Sequence, residues 1–369
     1  MRAGSEEEVA EAIRVARGPF RIMGGGTRPV GRTVTGDGLD VSGIAGITLY
    51  ESGALTVVAK TGTPLADLEA ALAAEGQRLA FEPADWRGLL GTEGEPTVGG
   101  MVAANVSGPR RVQAGACRDA LLGVRFVDGT GAVVKNGGRV MKNVTGYDLV
   151  KLMAGSWGTL GVLTEVSLKV LPAHEATAVL VIDGLSGGEA LAAMTKALRS
   201  PFDVTGAAHG PMGTLIRVEG FAGSVAYRAE RLRALLAPFG AVRVESAPEP
   251  CHSLWRAVRD VEPFHGTPGD VWRLSVKPSD GPELVRRAKA REAILDWGGG
   301  LVWLLMPEGE DLRARLGAFS GHATLLRASE ETRARIAPFQ PEPAPVTAIS
   351  AGLRARFDPK GILNPGLMG

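Results

Sequence analysis

Most of the glycine clusters in this chain fall before residue 165, and they constrain its fold more than any other feature. The chain holds 51 glycines among 369 residues. The clusters follow short apolar runs, as in "FRIMGGGTRP" at 20–29. Glycine lets a backbone turn sharply or approach another group without a side chain in the way. We therefore predict that the first half is an α+β domain whose long loops approach a ligand.

Periodicity predicts the elements of this first half. Apolar residues at helical spacing indicate a helix over 6–17, and 20–23 is typical of a strand. A further helix is predicted to begin at Pro64, with Thr63 as its N-cap and Gly76 after its last turn. Strands are also expected within 54–62, 121–134 and 158–172.

From about residue 176 the pattern changes to an alternation of strands and helices. The order β-α-β-β-α-β predicts a ferredoxin-like unit, and a similar order begins again near residue 271 with a predicted helix over 282–295. A proline-rich connector, "PFQPEPAP", then leads to a last helix over 346–357. We predict three parts: 1–175, an antiparallel α+β part over 176–340 that covers the first, and a C-terminal segment over 341–369.

Charge and cysteine content exclude several classes of function. Lys plus Arg number 41 and Asp plus Glu number 40, so no net field attracts nucleic acid or anionic lipid. The acidic N-terminus lacks the features of a signal peptide, and no apolar run reaches about 20 residues. Cys117 and Cys251 stand too far apart for a zinc or iron-sulfur motif. We expect a cytoplasmic protein in which any redox chemistry needs an organic cofactor.

Three glycine-rich stretches are candidate ligand sites. The loop 24–28 fits neither the Walker nor the Rossmann spacing, and a plain turn remains an equal alternative to an anion-binding loop. The stretch 95–119 is either a second approach to the ligand or a surface loop. In 137–172, the polar residues Lys142, Asn143, Tyr147 and Asp148 lie among apolar ones. They predict either a buried Lys-Asp pair or direct ligand contact.

Several of these motifs together resemble a known family. "RIMGGGTRP", "FEPADW", "TVGGMVAANVSGPRR", "GSWGTLGVLTEVSLKVLP", "SGHATLLRA" and "FDPKGILNPG" are similar to motifs of the FAD-binding E subunits of bacterial glycolate oxidases. These subunits belong to the vanillyl-alcohol-oxidase (PCMH-type) flavoproteins. The resemblance implies a two-subdomain PCMH-type FAD-binding domain, followed by a ferredoxin-like antiparallel cap domain that faces the flavin.

The resemblance also implies a set of cofactor contacts. The residues that match the family's FAD-binding positions are Gly24, Gly25, Gly26, Thr27, Arg28, Pro83, Thr97, Gly99, Gly100, Ser107, Gly108, Arg118, Gly155, Gly158, Gly161, Val162 and Asn364. Of these, the glycine loop 24–28 would surround the pyrophosphate, and Asn364 would mark the return of the tail to the flavin. No residue from 20 to 32 is His or Cys, so the FAD is expected to be non-covalent there.

The histidines depart from the pattern of catalytic relatives that carry a metal site. Those relatives have two histidines seven positions apart and a Glu-His pair, whereas His174, His209, His252, His265 and His322 show neither arrangement. We therefore predict no metal site. His322 alone lies inside a matching motif and is the candidate catalytic residue, to accept the substrate's hydroxyl proton. In an extended strand, Arg327 would point to the opposite face from His322 because five positions separate them.

The resemblance implies a subunit of a complex that oxidises glycolate, a small 2-hydroxy acid, to glyoxylate. Its implied partners are a catalytic flavoprotein subunit and an iron-sulfur subunit, which could hold the chain at the inner face of the membrane without a transmembrane segment. Two alternatives stay open. The chain could be a self-sufficient D-2-hydroxy-acid (D-lactate) dehydrogenase, or a redox-inactive scaffold that keeps the FAD fold.

Overall fold

The computed structural model describes residues 1–139 and 146–369, and Lys142 and Asn143 therefore lie outside the described residues. The part up to residue 175, called the N-terminal part here, is built around a five-stranded antiparallel sheet and two small two-stranded sheets. Its helices are α1 (Glu6–Val15), α2 (Leu65–Ala74), α3 (Arg87–Leu90), α4 (Val98–Ala103), α5 (Arg111–Ala114), α6 (Cys117–Ala120) and α7 (Leu149–Met153). Its strands are β1 (Phe20–Met23), β2 (Asp37–Asp40), β3 (Ile47–Glu51), β4 (Thr56–Lys60), β5 (Gln77–Arg78), β6 (Leu121–Val127), β7 (Val133–Gly137), β8 (Val162–Lys169) and β9 (Leu171–Pro172).

The five-stranded sheet has the order β3-β4-β8-β6-β7, and β1 pairs with β2 in parallel. The chain's tail returns to this small parallel pair. The N–H of Phe20 donates to the carbonyl of Ile362 at 2.7 Å, and the N–H of Asn364 donates to the carbonyl of Phe20 at 3.1 Å. Because β1 leads directly into the glycine loop, the tail is fixed beside that loop.

The rest of the chain forms one eight-stranded sheet, called the large sheet here. Its strands are β10 (Ala176–Ile182), β11 (Val204–Gly210), β12 (Gly213–Gly220), β13 (Val242–Glu245), β14 (Asp270–Val276), β15 (Glu292–Asp296), β16 (Leu301–Met306) and β17 (Gly321–Arg327). The accompanying helices are α8 (Gly187–Leu198), α9 (Ala222–Leu236), α10 (Pro248–Arg259), α11 (Gly281–Ala288), α12 (Leu312–Leu316), α13 (Glu330–Arg335) and α14 (Ala344–Phe357). In the described residues, no helix is both long and apolar enough to cross a bilayer.

The large sheet consists of two β-α-β-β-α-β units joined edge to edge. Its order is β13-β10-β12-β11-β15-β16-β14-β17, and every pairing in it is antiparallel. Each half therefore has the ferredoxin-like strand order, and the α+β prediction is confirmed. Helices α8, α9, α11 and α12 cover one face of the sheet, called the outer face. The inner face packs on the N-terminal part and on α10.

Two local predictions were wrong. The helix predicted over 282–295 ends at Ala288, because Lys289 adopts a left-handed conformation with φ of 50° and 292–296 continues as β15. Ile294 and Leu295 fit that strand by contributing to opposite cores. Thr63 is not an N-cap either. Its hydroxyl donates to the carbonyl of Lys60 at 2.7 Å, and α2 begins at Leu65 after Pro64.

A buried group of four charges joins the large sheet to the N-terminal part. The guanidinium of Arg217, on β12, donates to both carboxylate oxygens of Glu82 at 3.0 and 2.9 Å. Arg110 donates through Nε to Glu219 at 3.0 Å and lies 3.3 Å from Glu82. Burial alone would raise the pKa of Glu82, but the charges of Arg217 and Arg110 outweigh it and lower that pKa. The two carboxylates are therefore held ionised between the two parts.

Removing one cation from this group is expected to be strongly destabilising. In Arg217→Met, the buried Glu82 and Glu219 would keep Arg110 as their one arginine partner within the described residues, with His174 3.7 Å from Glu219. Breaking a buried ion pair costs about 3–5 kcal/mol. We expect the midpoint of urea unfolding to fall accordingly. The matched control is Arg233→Met, which breaks an exposed pair with Glu230 on α9 and should cost less than about 1 kcal/mol. Equal losses in the two variants would contradict the assignment.

Candidate cofactor site

A cavity of about 370 Å³ lies where the glycine loop, the C-terminal tail and helix α13 meet. This volume is within the usual size range of ligand pockets. The loop 24–34 forms one wall, and residues at the start of α4 and before β8 form the next. Helix α13 contributes Glu330 and Arg333, and the tail contributes Asn364 and Leu367. Segments from the beginning, middle and end of the chain therefore share one site.

The glycine loop presents unused backbone donors to this cavity. Within the described residues, none of the N–H groups of 24–27 donates to a protein acceptor. Buried or half-buried N–H groups normally have a partner. Successive free N–H groups form a concavity that suits an anion. The loop therefore offers several backbone donors in one place, an arrangement that suits a negatively charged group.

Close backbone contacts explain why this site needs glycine. A Cβ on Gly25 would lie 1.7 Å from the carbonyl oxygen of Glu95, and one on Gly99 would lie 2.6 Å from Cβ of Thr61. Gly26 has open space around it but a φ of 70°, which L side chains rarely adopt. Glycine is therefore needed at Gly25 because the loop packs closely against the segment at Glu95. At Gly26 it is needed because of the left-handed backbone conformation.

The charged residues that line the cavity are mostly cations. They are four arginines and one glutamate, namely Arg21, Arg28, Arg32, Arg333 and Glu330. Arg28 donates to the carbonyl of Ala84 at 3.0 Å, and its Nε is buried without a partner within the described residues. Burial lowers the pKa of Arg28 to about 10, although the charge of Asp85 opposes this. Arg28 therefore stays protonated at neutral pH.

The residues present fit an FAD diphosphate. Free N–H groups and arginines match its negative charge, and Arg28 and Arg333 each keep a buried, unpartnered Nε within the described chain. Arg333 also donates to the carbonyl of Pro29 at 2.6 Å, so α13 is joined to the glycine loop. The N-terminal part, through Arg28, and helix α13, through Arg333, thus both supply hydrogen-bond donors at this cavity.

Asn364 lines the cavity but uses its side chain for structure. Its Oδ1 accepts from the N–H of Ile22 at 2.8 Å, and its Nδ2 donates to the carbonyl of Trp157 at 2.9 Å. It is 4% exposed. Asn364 therefore clamps β1 to the loop before β8, which fixes the shape of the cavity.

The structure brings most of the sequence-predicted residues together at this cavity. Those that line it are Gly24, Gly25, Gly26, Thr27, Arg28, Thr97, Gly99, Gly100, Gly158, Gly161, Val162 and Asn364. Pro83, Ser107, Gly108, Arg118 and Gly155 do not belong to its lining.

These five residues lie in or beside the neighbouring loops. Ser107 Oγ accepts from the N–H of Cys117 at 2.9 Å, and the N–H of Gly108 donates to the carbonyl of Phe81 at 2.9 Å. Arg118 is exposed near Asp119. The contacts described for Ser107 and Gly108 therefore organise the 81–86 and 105–111 loops below the large sheet.

Sequence reasoning missed the contribution of α13. Glu330 and Arg333 stand three positions apart, so the sequence could show that they share one side of a helix. No local signal shows which surface that side would meet. Their approach to the cavity depends on how the large sheet docks, which only the folded chain reveals.

Of the predicted Lys142–Asp148 pair, Asp148 lies within the described residues. Asp148 is exposed and is the N-cap of α7, where its side chain accepts from the N–H of Lys151 at 3.1 Å. Tyr147 is 88% exposed. A buried role for Asp148 was therefore wrong, while Lys142 and Asn143 lie outside the described residues.

The prediction for His322 and Arg327 was wrong in one respect. His322 pairs with Ser275 on β14, on the inner face of the large sheet. A register shift near Trp272 places Arg327 opposite Val271, which also faces inward. A β-bulge therefore brings both side chains to the same face. Arg327 donates to four carbonyls, those of Gly269, Leu89, Phe264 and Thr267, whereas His322 is exposed at the sheet edge.

Asp296 is a buried acid on the inner face. It is 2% exposed, and its side chain accepts from the N–H of Trp297 at 2.7 Å. Burial raises its pKa to about 7; the charge of Glu82 adds to this, while the bond from Trp297 and the charges of Arg217 and Arg273 oppose it. Asp296 therefore changes charge near neutral pH.

This raised pKa predicts a pH-dependent stability. A carboxyl that binds its proton more tightly when folded stabilises the fold at low pH, and that stability is lost as the pH rises through about 7. Asp296→Asn keeps the acceptor but cannot ionise. We expect the variant to gain about 2–4 kcal/mol over wild type near pH 8 and little near pH 4, measured by urea unfolding. Asp37→Asn, at an exposed position, is the control. An Asp296→Asn variant without a pH-dependent advantage would contradict the burial argument.

Comparison with known proteins identifies the relatives of this chain. Residues 1–137 match the family model described as an FAD binding domain. A D-lactate dehydrogenase of Anaerostipes hadrus is 37% identical over 186 residues, which are 49% of this chain and 38% of that protein. A solved alkyldihydroxyacetonephosphate synthase shares the fold, with a TM-score of 0.71 at 16% identity, over 99% of this chain and 76% of that one.

One relative matches almost from end to end. The glycolate oxidase subunit GlcE of Escherichia coli (strain K12) is 37% identical over 365 residues, which cover 98% of this chain and 95% of that protein. The predicted family and the predicted FAD cofactor are both confirmed. The chain belongs to the GlcE family of glycolate oxidase subunits, among the FAD-binding oxidoreductases.

Proposed function

We propose that this protein is the FAD-binding subunit of a glycolate oxidase complex, which oxidises glycolate to glyoxylate. The observation that carries the proposal is the match to GlcE over nearly the whole length of both chains. The cavity supports it, because free N–H groups and arginines converge where a dinucleotide diphosphate would lie.

The residues that line the cavity hold the cofactor in this proposal. The N–H groups of 24–27 donate to the diphosphate, and Arg28 neutralises its charge. Thr97, Gly99 and Gly100 form the next wall, while Gly158, Gly161 and Val162 close on the cofactor from the β8 side. Loop 20–32 offers no His or Cys for a covalent bond, so non-covalent contacts hold the FAD there.

Pro83, Ser107, Gly108, Arg118 and Gly155 extend the proposed contacts beyond the cavity, along the loops that face the large sheet. When bound, the flavin supplies a two-electron acceptor for hydride from the substrate. His322 is proposed to accept the hydroxyl proton. Its support is its inner-face position, opposite Ser275 and two positions from Thr324, which pairs with Arg273.

A catalytic flavoprotein subunit and an iron-sulfur subunit complete the proposed complex. Cys117 and Cys251 are both buried and far apart in sequence, so an iron-sulfur cluster that receives electrons from the flavin would lie on another chain. Helix α14 supports assembly, since Val346, Ile349 and Leu353 expose an apolar stripe at helical spacing. The proposed location is the cytoplasm or, through these partners, the inner face of the membrane.

The second candidate is a self-sufficient D-2-hydroxy-acid dehydrogenase. It is favoured by the 37% identity to a D-lactate dehydrogenase. That similarity covers only about half of this chain and 38% of the relative. The match to GlcE covers 98% of this chain and 95% of that protein, and it therefore supports the subunit role more strongly. A redox-inactive scaffold would keep the cavity but carry out no electron transfer.

Anaerobic mixing with glycolate tests these roles. The purified, FAD-loaded chain is mixed with glycolate alone and then together with its two proposed partner subunits, while flavin absorbance is followed. We expect bleaching in the assembled complex and little in the chain alone. D-lactate is the control substrate. Rapid bleaching of the isolated chain by D-lactate would establish the second candidate, and a chain that cannot retain FAD would refute both redox roles.

A further inference from the structure

Two arginines from different parts of the protein lie against one indole ring. Arg111, at the start of α5, places its Cζ 4.3 Å from the ring centroid of Trp297. Arg273, on the inner face of β14, places its Cζ 5.3 Å from the same centroid and 5.8 Å from that of Trp303. The contact therefore spans the junction between the N-terminal part and the large sheet.

Within residues 1–139 and 146–369, neither cation has an ionic or hydrogen-bonded partner besides its contact with the aromatic rings. Arg111 and Arg273 form no ion pair there, and their guanidinium groups donate no hydrogen bond. The neighbouring Arg110 and Arg217, by contrast, are paired with Glu82 and Glu219. A cation that is withdrawn from water without a partner is unfavourable. This contrast indicates that the two guanidinium groups keep hydrogen-bond donors available for a ligand.

The pair remains charged and reachable. Arg273 is only partly buried, and none of its nitrogens is among the fully buried, unpartnered side-chain atoms of the described chain. Burial, together with the charge of Arg111, lowers the pKa of Arg273 to about 10, while the charge of Asp296 opposes this. A group with this pKa is still protonated at neutral pH. Two like charges held together favour an anion that relieves their repulsion.

Trp297 fixes the geometry of the pair. Its Nε1 donates to the carbonyl of Gly108 at 3.0 Å, which ties the large sheet to the loop before α5. Its backbone has a φ of 52°, an uncommon conformation for a bulky residue. Strained residues of this kind persist where the surroundings hold them, often at ligand sites. The indole ring is thus a fixed support for both guanidinium groups.

A short series of ring contacts connects the pair to the cofactor cavity. Arg28, which lines the cavity, lies 5.7 Å from the ring centroid of Trp86. Trp86 packs edge-on against Trp303 with 6.0 Å between ring centroids, and Arg273 lies over Trp303. Asp296 is on the same face, and its carboxyl is near enough to Arg273 to be influenced by that charge. The pair is therefore linked to the cavity through the rings of Trp86 and Trp303, and neither arginine belongs to the cavity lining.

We propose that Arg111 and Arg273 bind the carboxylate of a small carboxylic acid at the junction of the N-terminal part and the large sheet. The inference rests on the proposed function in one respect, because we identify the bound acid as the substrate or the product of the flavin reaction. Guanidinium groups suit carboxylates because their donors match the two oxygens. The site distinguishes a 2-hydroxy acid from an uncharged alcohol, which would leave both cations unpaired.

Oxalate binding tests this site directly, because oxalate is a small carboxylate without a hydroxyl to oxidise. The FAD-loaded full chain is titrated with oxalate by isothermal titration calorimetry. Arg111→Met and Arg273→Met should each weaken binding roughly 10- to 100-fold, as expected for lost charge-assisted hydrogen bonds. Arg273→Lys should recover part of the loss. Arg231→Met is the matched control, since Arg231 also lies over an aromatic ring, 5.1 Å from the centroid of Tyr227.

The outcomes separate this inference from the proposed function. FAD content and circular dichroism verify that each variant is folded. If wild type does not bind oxalate, or if both Met variants bind it as wild type does, the site assignment is wrong even when the complex still oxidises glycolate. If the variants lose oxalate binding but the assembled wild-type complex shows no bleaching with glycolate, the site stands and the proposed function fails.

Discussion

The glycine loop depends on a close backbone contact at Gly25 that a residue with a side chain could not make. Gly25 lies so close to the carbonyl of Glu95 that a Cβ would stand 1.7 Å from that oxygen. The same loop lines the cavity, and the N–H groups of 24–27 have no protein acceptors among the described residues. The tail, through Asn364, and helix α13, through Arg333, are arranged around the same loop.

The arginines around the junction divide into two classes with different physical roles. Arg110 and Arg217 are matched by Glu82 and Glu219, so their charges join the two parts of the protein. Arg28 in the cavity and the pair Arg111 and Arg273 at the junction form no ion pair with a carboxylate within the described residues. The first class stabilises the fold. The second class leaves positive charge available for a ligand, which suits a protein of nearly zero net charge.

Much of the fold could be predicted from the sequence because its signals are local. The glycine clusters, the strand and helix periods and the ferredoxin-like order each follow from neighbouring residues. Features that depend on tertiary contacts could not. The bulge that turns Arg327 inward and the left-handed Lys289 that shortens α11 arise from strand pairing and turn geometry. The approach of Arg333 to the cavity and the pairing of Arg111 with Arg273 across the junction require the docked sheet.

FAD stoichiometry of a Gly25→Ala variant tests the central claim, that an open glycine backbone holds the cofactor. The added methyl group collides with the carbonyl of Glu95 and displaces the loop, so we expect the folded variant to lose most of its FAD. Gly223→Ala is the control, because a Cβ there meets nothing within 4 Å. Full FAD occupancy in a folded Gly25→Ala protein would contradict the account.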